Sequence, residues 1–146
     1  IEKIKTHEPR YDIWRFSLQI FEEQNLGLFG LGTYKTQELL VEKYKLMPID
    51  KRKNWFIQRN FNTHNQYIDI ILSFGFIGLI LFTVFLRDIV LITYKNIYSL
   101  NLILSLILFL VIENLFHRQL GSFILPLTIV IAVYIINSQN EKDTSS

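Results

Sequence analysis

The stretch IILSFGFIGLILFTVFL, from Ile70 to Leu86, decides the fold class of this 146-residue chain. It carries no charged side chain, and its length falls within the roughly 17–25 apolar residues that cross a bilayer as a helix. The stretch has no polar face to turn toward water, which disfavours a buried helical hairpin of a soluble protein. The sequence therefore predicts a transmembrane helix at about residues 67–86.

Two further apolar stretches follow, from Ile97 to Leu115 and from Leu120 to Ile136. Both are long enough for a span, although Pro126 interrupts the second. Neighbouring helices can satisfy the carbonyl that a proline frees. The prediction is an all-α integral membrane protein with three transmembrane helices, at about residues 67–86, 97–115 and 120–136, and a disordered cytoplasmic tail at 137–146.

The composition divides the chain in the same way. The chain is 50% hydrophobic and 19% charged, and residues 1–66 hold 11 of its 15 Lys/Arg and 8 of its 13 Asp/Glu. These residues read as a polar, mostly helical extracytoplasmic loop. The net charge of +2 is too small to indicate a nucleic-acid partner. With no cysteine, disulfides, thiolate zinc sites and cysteine nucleophiles are excluded.

The loop charges suggest an orientation. Arg87 and Lys95 lie between the first two spans, and Arg118 lies between the last two. The positive-inside rule places the first connector and the tail in the cytoplasm, and residues 1–66 outside as a long loop that escapes the rule. Because a polar first half does not target itself to a membrane, we expect a C-terminal fragment of a polytopic protein whose N-terminal transmembrane helices are missing.

Residues 1–66 contain signals for short helices. Pro9 suits a first helical turn, and the apolar residues from 13 to 21 cover a wide face, as on a packed or membrane-surface helix. The glycines of LGLFGLG (26–32) lack the preceding strand and the spacing of a phosphate-binding loop, which favours a turn with close backbone packing. A second helix fits residues 36–44, and residues 50–62 are polar and basic.

The segment NTHNQYIDIILSFGFIG, residues 62–78, carries the candidate chemistry. Thr63 to Gln66 fits a capping box with Thr63 as N-cap, which places His64 at the first helical position. Free backbone N–H groups and the helix dipole at such an end favour a phosphate or pyrophosphate. The alternative is that His64 and its neighbour Asn65 contact lipid headgroups.

Other polar side chains stand near the predicted membrane edge. Asn65 and Asp69 are four residues apart and share a helix face, so a polar strip enters the membrane there. An ionisable residue at that depth is a functional candidate if it faces inward. Glu113, four residues before His117, can line an acceptor site or hold spans together.

Three sequence motifs in this chain are typical of a known protein family. His64-Asn65-Gln66-Tyr67 precedes Gly75-Phe76-Ile77-Gly78-Leu79, while Arg10 to Trp14 forms an R-x-x-x-W element and Leu28 to Gly32 a G-x-G turn upstream. In order and spacing the chain resembles the O-antigen ligase and O-antigen polymerase superfamily of bacterial membrane glycosyltransferases. The resemblance covers about residues 9–136.

The resemblance implies a reaction at the outer face of the bacterial inner membrane. A glycan would pass from undecaprenyl pyrophosphate to an acceptor sugar hydroxyl, on lipid A–core for a ligase or on another lipid-linked glycan for a polymerase. It implies no nucleotide sugar, no required metal and no other cofactor. By resemblance His64 is the catalytic base, and Arg10 belongs to the pyrophosphate clamp.

Helix geometry ranks the arginines. Arg10 and Trp14 share a face, so the indole can support a guanidinium that grips phosphate oxygens. Arg15 lies about 140° away at 100° per residue, and either binds pyrophosphate or contacts headgroups. Asn65, Asp69 and Glu113 are supporting candidates. A non-catalytic, transporter-like subunit is the other class of function, and an enzyme fragment of this size is expected to be inactive alone.

Overall fold

The computed structural model describes residues 8–48, 51–116 and 119–144. All regular secondary structure in these ranges is helical, which confirms the predicted all-α class. The helices in this part of the chain are α1 (Pro9–Glu23), α2 (Thr33–Lys45), α3 (Lys51–Arg59), α4 (Gln66–Thr93), α5 (Ile97–Ile112) and α6 (Gln119–Thr144).

The chain divides into two compact units, Ile1–Ile80 and Leu81–Ser146. Helix α4 begins in the first unit and ends in the second. The boundary between the two units therefore lies after residue 80, whereas the sequence predicts the change from polar loop to apolar span at residue 66. The first unit extends further because α4 contributes a buried residue, Leu72, to the core of the polar half.

Helix α1 begins where the sequence predicts, with Pro9 at its start. The Glu8 carboxylate caps the helix by accepting a hydrogen bond from the backbone N–H of Arg10 at 3.3 Å. Ile13, Phe16 and Ile20 are buried, because spacings of three and four residues place them on one helix face. This face packs into the core of the first unit.

The core of the first unit draws on α1, α2, α3 and α4. Its buried members are Ile13, Phe16, Ile20, Leu40, Tyr44, Phe56 and Leu72. Phe56 anchors α3 in this core, although the composition of residues 50–62 indicates only a polar and basic segment. The Phe56 ring lies 5.1 Å from the Tyr44 ring. Burial raises the pKa of Tyr44, whose hydroxyl donates a hydrogen bond to the Phe61 carbonyl at 3.1 Å.

Helix α4 is longer than the predicted span and is interrupted. It starts at Gln66 and continues past the charged pair Arg87 and Asp88 to Thr93, since exposed charges do not end a helix. At Gly75 the backbone adopts φ 71° and ψ −165°, a conformation essentially confined to glycine. An apolar run alone predicts a continuous helix, and the break was not expected.

The turn at residues 26–32 packs against this break. Four backbone hydrogen bonds join them: Leu31 N–H to Leu72 O (2.9 Å), Gly32 N–H to Ser73 O (2.8 Å), Phe76 N–H to Gly27 O (3.1 Å) and Ile77 N–H to Leu28 O (3.2 Å). A Cβ on Gly30 would overlap the backbone of Ser73, and one on Gly75 would overlap the Leu28 carbonyl. The interpretation of the glycines as a closely packing turn is confirmed.

In the second unit, α5 is fixed at its start and along its length. The Asn96 side chain caps it by accepting hydrogen bonds from backbone N–H groups, including that of Ser99. The Ser99 hydroxyl donates to the Ala132 carbonyl of α6 at 2.9 Å. Ile89, Ile103 and Ala132 are buried together, so the unit has an apolar core of its own.

Helix α6 extends beyond the predicted span. It contains Pro126 and continues to Thr144, so residues 137–144 are helical where the sequence predicts a disordered tail. No glycine or proline follows Pro126 to end the helix. The side chain of Gln139 also accepts a hydrogen bond from the Asn96 amide, which holds this part of the helix.

Two helical segments of the described residues are long and apolar enough to cross a membrane, Gln66–Thr93 and Gly121–Gln139. The apolar helix α5 has 16 residues, just below the roughly 17–25 of a typical span. Two of the three predicted spans therefore meet the criterion of length and composition, and the third stays a prediction.

Candidate functional site

Residues 61–65 follow Asn60 in the loop that leads from α3 into α4. His64 lies in it with a positive φ of 46°, the left-handed region. Its backbone N–H donates a hydrogen bond to the side-chain oxygen of Asn62 at 3.0 Å. The buried Thr63 hydroxyl donates to the Asn65 carbonyl at 3.0 Å. Side chains of the loop thus hold its own backbone in shape.

The predicted helix cap was wrong. Helix α4 starts at Gln66, and Asn65 is its N-cap. The Asn65 side-chain oxygen accepts hydrogen bonds from the backbone N–H groups two and three residues further on, those of Tyr67 (2.9 Å) and Ile68 (3.0 Å). Asparagine caps helices at least as well as threonine. His64 consequently stands in the loop before the helix and not at its first position.

Arg10 and His64 line the same cavity. This cavity has a volume of about 300 Å³, and its lining residues are Glu8, Pro9, Arg10, Ile13, Phe61 and His64. The His64 ring lies 5.5 Å from the Phe61 ring, and its Nδ1 atom is buried. The fold thereby brings Arg10 and His64, which are 54 positions apart in the sequence, to one site. The family resemblance assigns both residues to one reaction.

Trp14 joins α1 to the loop that carries His64. Its indole Nε1–H donates a hydrogen bond to the Thr63 carbonyl at 3.0 Å, in a part-buried position. The Phe61 carbonyl, three residues before His64, accepts hydrogen bonds from the Gln37 amide and the Tyr44 hydroxyl, both at 3.1 Å. The loop backbone is therefore fixed at two carbonyls shortly before His64.

The two arginines of α1 have different surroundings. Arg10 lies 3.8 Å from the Glu8 carboxylate at the cavity. Arg15 lies outside the cavity lining, pairs with Asp12 at 3.2 Å, and sits 5.0 Å from the centre of the Phe16 ring. The structure thus groups Arg10, but not Arg15, with His64.

The other predicted site residues fall in different places. Asn65 and Asp69 are both buried, and the Asp69 N–H donates to the Asn65 carbonyl at 3.0 Å within α4. Glu113 follows α5 as its C-cap in the second unit, next to a fully buried Asn114. The expected partner of Glu113, His117, lies outside the described residues.

A second cavity, which motif reasoning missed, opens beside α2. It has a volume of about 280 Å³, and its lining residues are Tyr34, Gln37, Glu38, Val41, Glu42, Lys45 and Asn60. Gln37 donates to the side chain of Asn60 at 2.9 Å, directly before the loop that carries His64. The recurrence of polar residues every three or four positions along α2 was the sequence signal for this face.

Metal ligation has no clear candidate in the described residues. Within 8–48, 51–116 and 119–144, no three His, Asp or Glu side chains group as ligands of one ion would. The candidate site therefore consists of an imidazole and a guanidinium at a common cavity, with a carboxylate beside the guanidinium.

Comparison with known proteins identifies a family. A family model described as O-antigen ligase matches residues 3–83, more than half of the chain. The matched range contains Arg10, Trp14, His64, Asn65 and Asp69, together with the glycine turn and the break in α4. No curated protein and no solved structure matches the chain.

Proposed function

The chain belongs to the O-antigen ligase family, and from this premise we propose that it is the C-terminal part of a membrane glycosyltransferase of ligase type. The enzyme transfers a glycan from undecaprenyl pyrophosphate to a sugar hydroxyl of lipid A–core. The reaction takes place at the periplasmic face of the bacterial inner membrane. The family and the two candidate spans support a membrane location.

The observation that carries the proposal is the common cavity of Arg10 and His64. The acceptor hydroxyl oxygen attacks the anomeric carbon of the donor, while the bond from that carbon to the pyrophosphate oxygen breaks. The bonding electron pair leaves with the pyrophosphate, and the hydroxyl proton passes to the His64 imidazole. The attack comes from the face opposite the leaving group, so the configuration at the anomeric carbon inverts.

Arg10 stabilises the leaving group. A guanidinium binds two phosphate oxygens at once through parallel N–H bonds, and such charge-assisted bonds are stronger than neutral ones. Since negative charge grows on the pyrophosphate as the bond breaks, this contact is stronger in the transition state than in the ground state. Glu8 holds the guanidinium at the cavity before the donor binds.

Trp14 and Asn65 are positioning residues in this mechanism. Trp14 fixes the Thr63 carbonyl, and Asn65 fixes the start of α4, so that His64 is held from both sides. A base acts well only when it lies within hydrogen-bond reach of the proton it removes. The polar cavity beside α2 offers amides, carboxylates and an exposed Tyr34 ring, groups that suit sugar hydroxyls and sugar faces.

The proposed topology has three spans. Residues 1–66 lie in the periplasm, α4 and α6 cross the membrane, and α5 crosses as a short third span of about 24 Å at 1.5 Å per residue. A span of that length suits a locally thin bilayer or a helix end completed by the residues after Ile112. Transmembrane helices N-terminal to this chain complete the enzyme.

Complementation by the full-length protein tests the function. In cells that lack the enzyme, His64→Ala and Arg10→Ala are expected to abolish glycan attachment to lipid A–core, while Arg15→Ala retains it. Normal transfer by both alanine variants would contradict the proposal. Loss of every capped core identifies a ligase, whereas cores that carry a single repeat identify a polymerase of the same superfamily, the runner-up function.

A further inference from the structure

The turn at residues 26–32 exposes large apolar side chains at its tip. Leu28 is 64% exposed and Phe29 is 76% exposed, whereas Leu26 and Leu31 on either side pack against the core. Two adjacent exposed residues of this size are unfavourable in water, because the free energy of an apolar side chain falls when its surface is removed from water. The tip therefore suits an apolar surrounding.

The backbone of the turn is paired with the backbone of α4. In an unbroken helix, Phe76 N–H would bond to Leu72 O, and Ile77 N–H to Ser73 O, because each N–H bonds four residues back. The break at Gly75 separates these groups, and all four instead bond to the turn. The turn and the break thus satisfy each other's polar groups without water.

This arrangement lies within the candidate span. Gly75 is five residues beyond Ile70, the first residue of the apolar run, which corresponds to about 8 Å along a helix. The hydrocarbon core of a bilayer is about 30 Å thick, so a helix that enters at Ile70 has its break inside the core. Non-helical backbone is stable at that depth only when its polar groups are paired.

The surface around the break is also apolar. Phe74, Phe76 and Ile77 are partly exposed next to the turn, and Phe76 contacts the Phe21 ring of α1 with 6.0 Å between ring centres. Leu28 and Phe29 belong to the turn whose backbone bonds directly to Phe76 and Ile77, so both partners of the junction expose apolar side chains. Such a patch, continuous with a membrane-spanning helix, matches acyl chains.

We propose that residues 26–32 form a re-entrant turn, which enters the outer leaflet beside α4 and places Leu28 and Phe29 against lipid acyl chains. The inference rests on the proposed membrane orientation, and goes beyond it by making part of the periplasmic loop a membrane-inserted element. The partner is the hydrocarbon of the bilayer. The turn thereby anchors the loop that carries the cavity at a fixed depth.

Spin-label accessibility in the full-length protein, reconstituted in lipid vesicles, tests this inference. These 146 residues contain no cysteine, so single labels follow from Phe29→Cys and Leu28→Cys once any cysteine elsewhere in the protein is replaced. Leu81→Cys, at a 65% exposed position of α4, is the lipid control, and Gln58→Cys, on the polar helix α3, is the water control.

Labels at Phe29→Cys and Leu28→Cys are expected to collide more with oxygen than with a water-soluble nickel complex, as at Leu81→Cys and unlike Gln58→Cys. Preference for nickel at both turn positions would overturn the re-entrant turn. Low collision with both reagents would overturn it as well, because another protein segment would then cover the tip. Preference for nickel at Leu81→Cys would overturn the membrane orientation itself. The transfer activity of His64→Ala is a separate measurement, so the proposed function can fail or hold independently of these labelling results.

Discussion

Two interruptions of helical structure lie near the start of α4, and they are built differently. Side chains hold the loop at residues 61–65, through Asn62, Asn65 and Trp14. Backbone groups hold the break at Gly75, which is bonded to the glycine turn. A side-chain scaffold can present a reactive group and tolerates substitutions that keep the bonding atom, whereas a backbone junction depends on glycine at the point of contact.

Gly75→Ala is expected to have the largest effect. The added Cβ would overlap the Leu28 carbonyl, and the φ and ψ of Gly75 are strained for any other residue. Backbone strain alone costs about 1–3 kcal/mol, and the overlap adds to it. We expect loss of monodisperse folded protein when the full-length variant is examined by size-exclusion chromatography in detergent.

Gly27→Ala is the matched control, because nothing lies within 4 Å of a Cβ at that glycine in the same turn. It should leave the elution profile and the melting temperature close to those of the parent. Equal behaviour of the two variants would mean that the backbone junction does not hold the turn.

Trp14→Phe is expected to have the next largest effect. The variant keeps an aromatic ring but loses the hydrogen bond to the part-buried Thr63 carbonyl, at a cost of about 1–3 kcal/mol. Because His64 follows Thr63, transfer should also fall by about tenfold or more. Trp55→Phe, on α3, controls for the change of ring, and a similar loss of transfer there would remove Trp14 from its positioning role.

Asn65→Ala tests the cap of α4. Removal of an N-cap side chain costs about 1 kcal/mol, and the start of α4 then frays next to His64. Asn65→Asp keeps a cap oxygen and is expected to restore most of the stability, measured as the apparent melting temperature in detergent. Failure of the aspartate variant to differ from the alanine variant would argue against the cap.

Tyr44→Phe is expected to have the smallest effect. It removes the hydrogen bond to the Phe61 carbonyl and leaves the ring in the core, for a loss of about 1 kcal/mol. Tyr34→Phe, at an 83% exposed position of α2, should leave the thermal unfolding unchanged. Identical shifts in both variants would show that the Tyr44 hydroxyl does not stabilise the loop.

The same contrast explains how much of the fold is predictable from the sequence. Pro9 marks the start of α1, and the run from Ile70 to Leu86 indicates α4, because both signals are local. The break at Gly75 depends on a turn more than 40 residues away, so no local pattern contains it. Phe56 within a basic segment is likewise a weak local signal, although it anchors α3 in the core.

The candidate site was predictable only in part. The place of His64 near a helix start made it a candidate by itself, whereas its pairing with Arg10 came from the family resemblance, since no physical rule pairs residues so far apart. Both Thr63 and Asn65 suit a helix cap, and the left-handed backbone of His64 settles the choice in favour of Asn65. Hydrogen bonds from Trp14 to Thr63 and from His64 to Asn62 accompany that conformation, and no local pattern contains the first of them. The cavity beside α2 could not be predicted from the sequence, because it forms only where α2 packs next to Asn60 in the folded chain.

The most direct test is a comparison of kcat and the donor KM for the full-length protein and its His64→Ala and Arg10→Ala variants, with a purified lipid-pyrophosphate glycan as donor. A base at His64 predicts a fall in kcat of about 10²–10⁴-fold with little change in donor KM. Arg10→Ala should raise the donor KM and lower kcat. A His64→Ala enzyme that turns over at the parent rate would contradict a common catalytic cavity for the two residues.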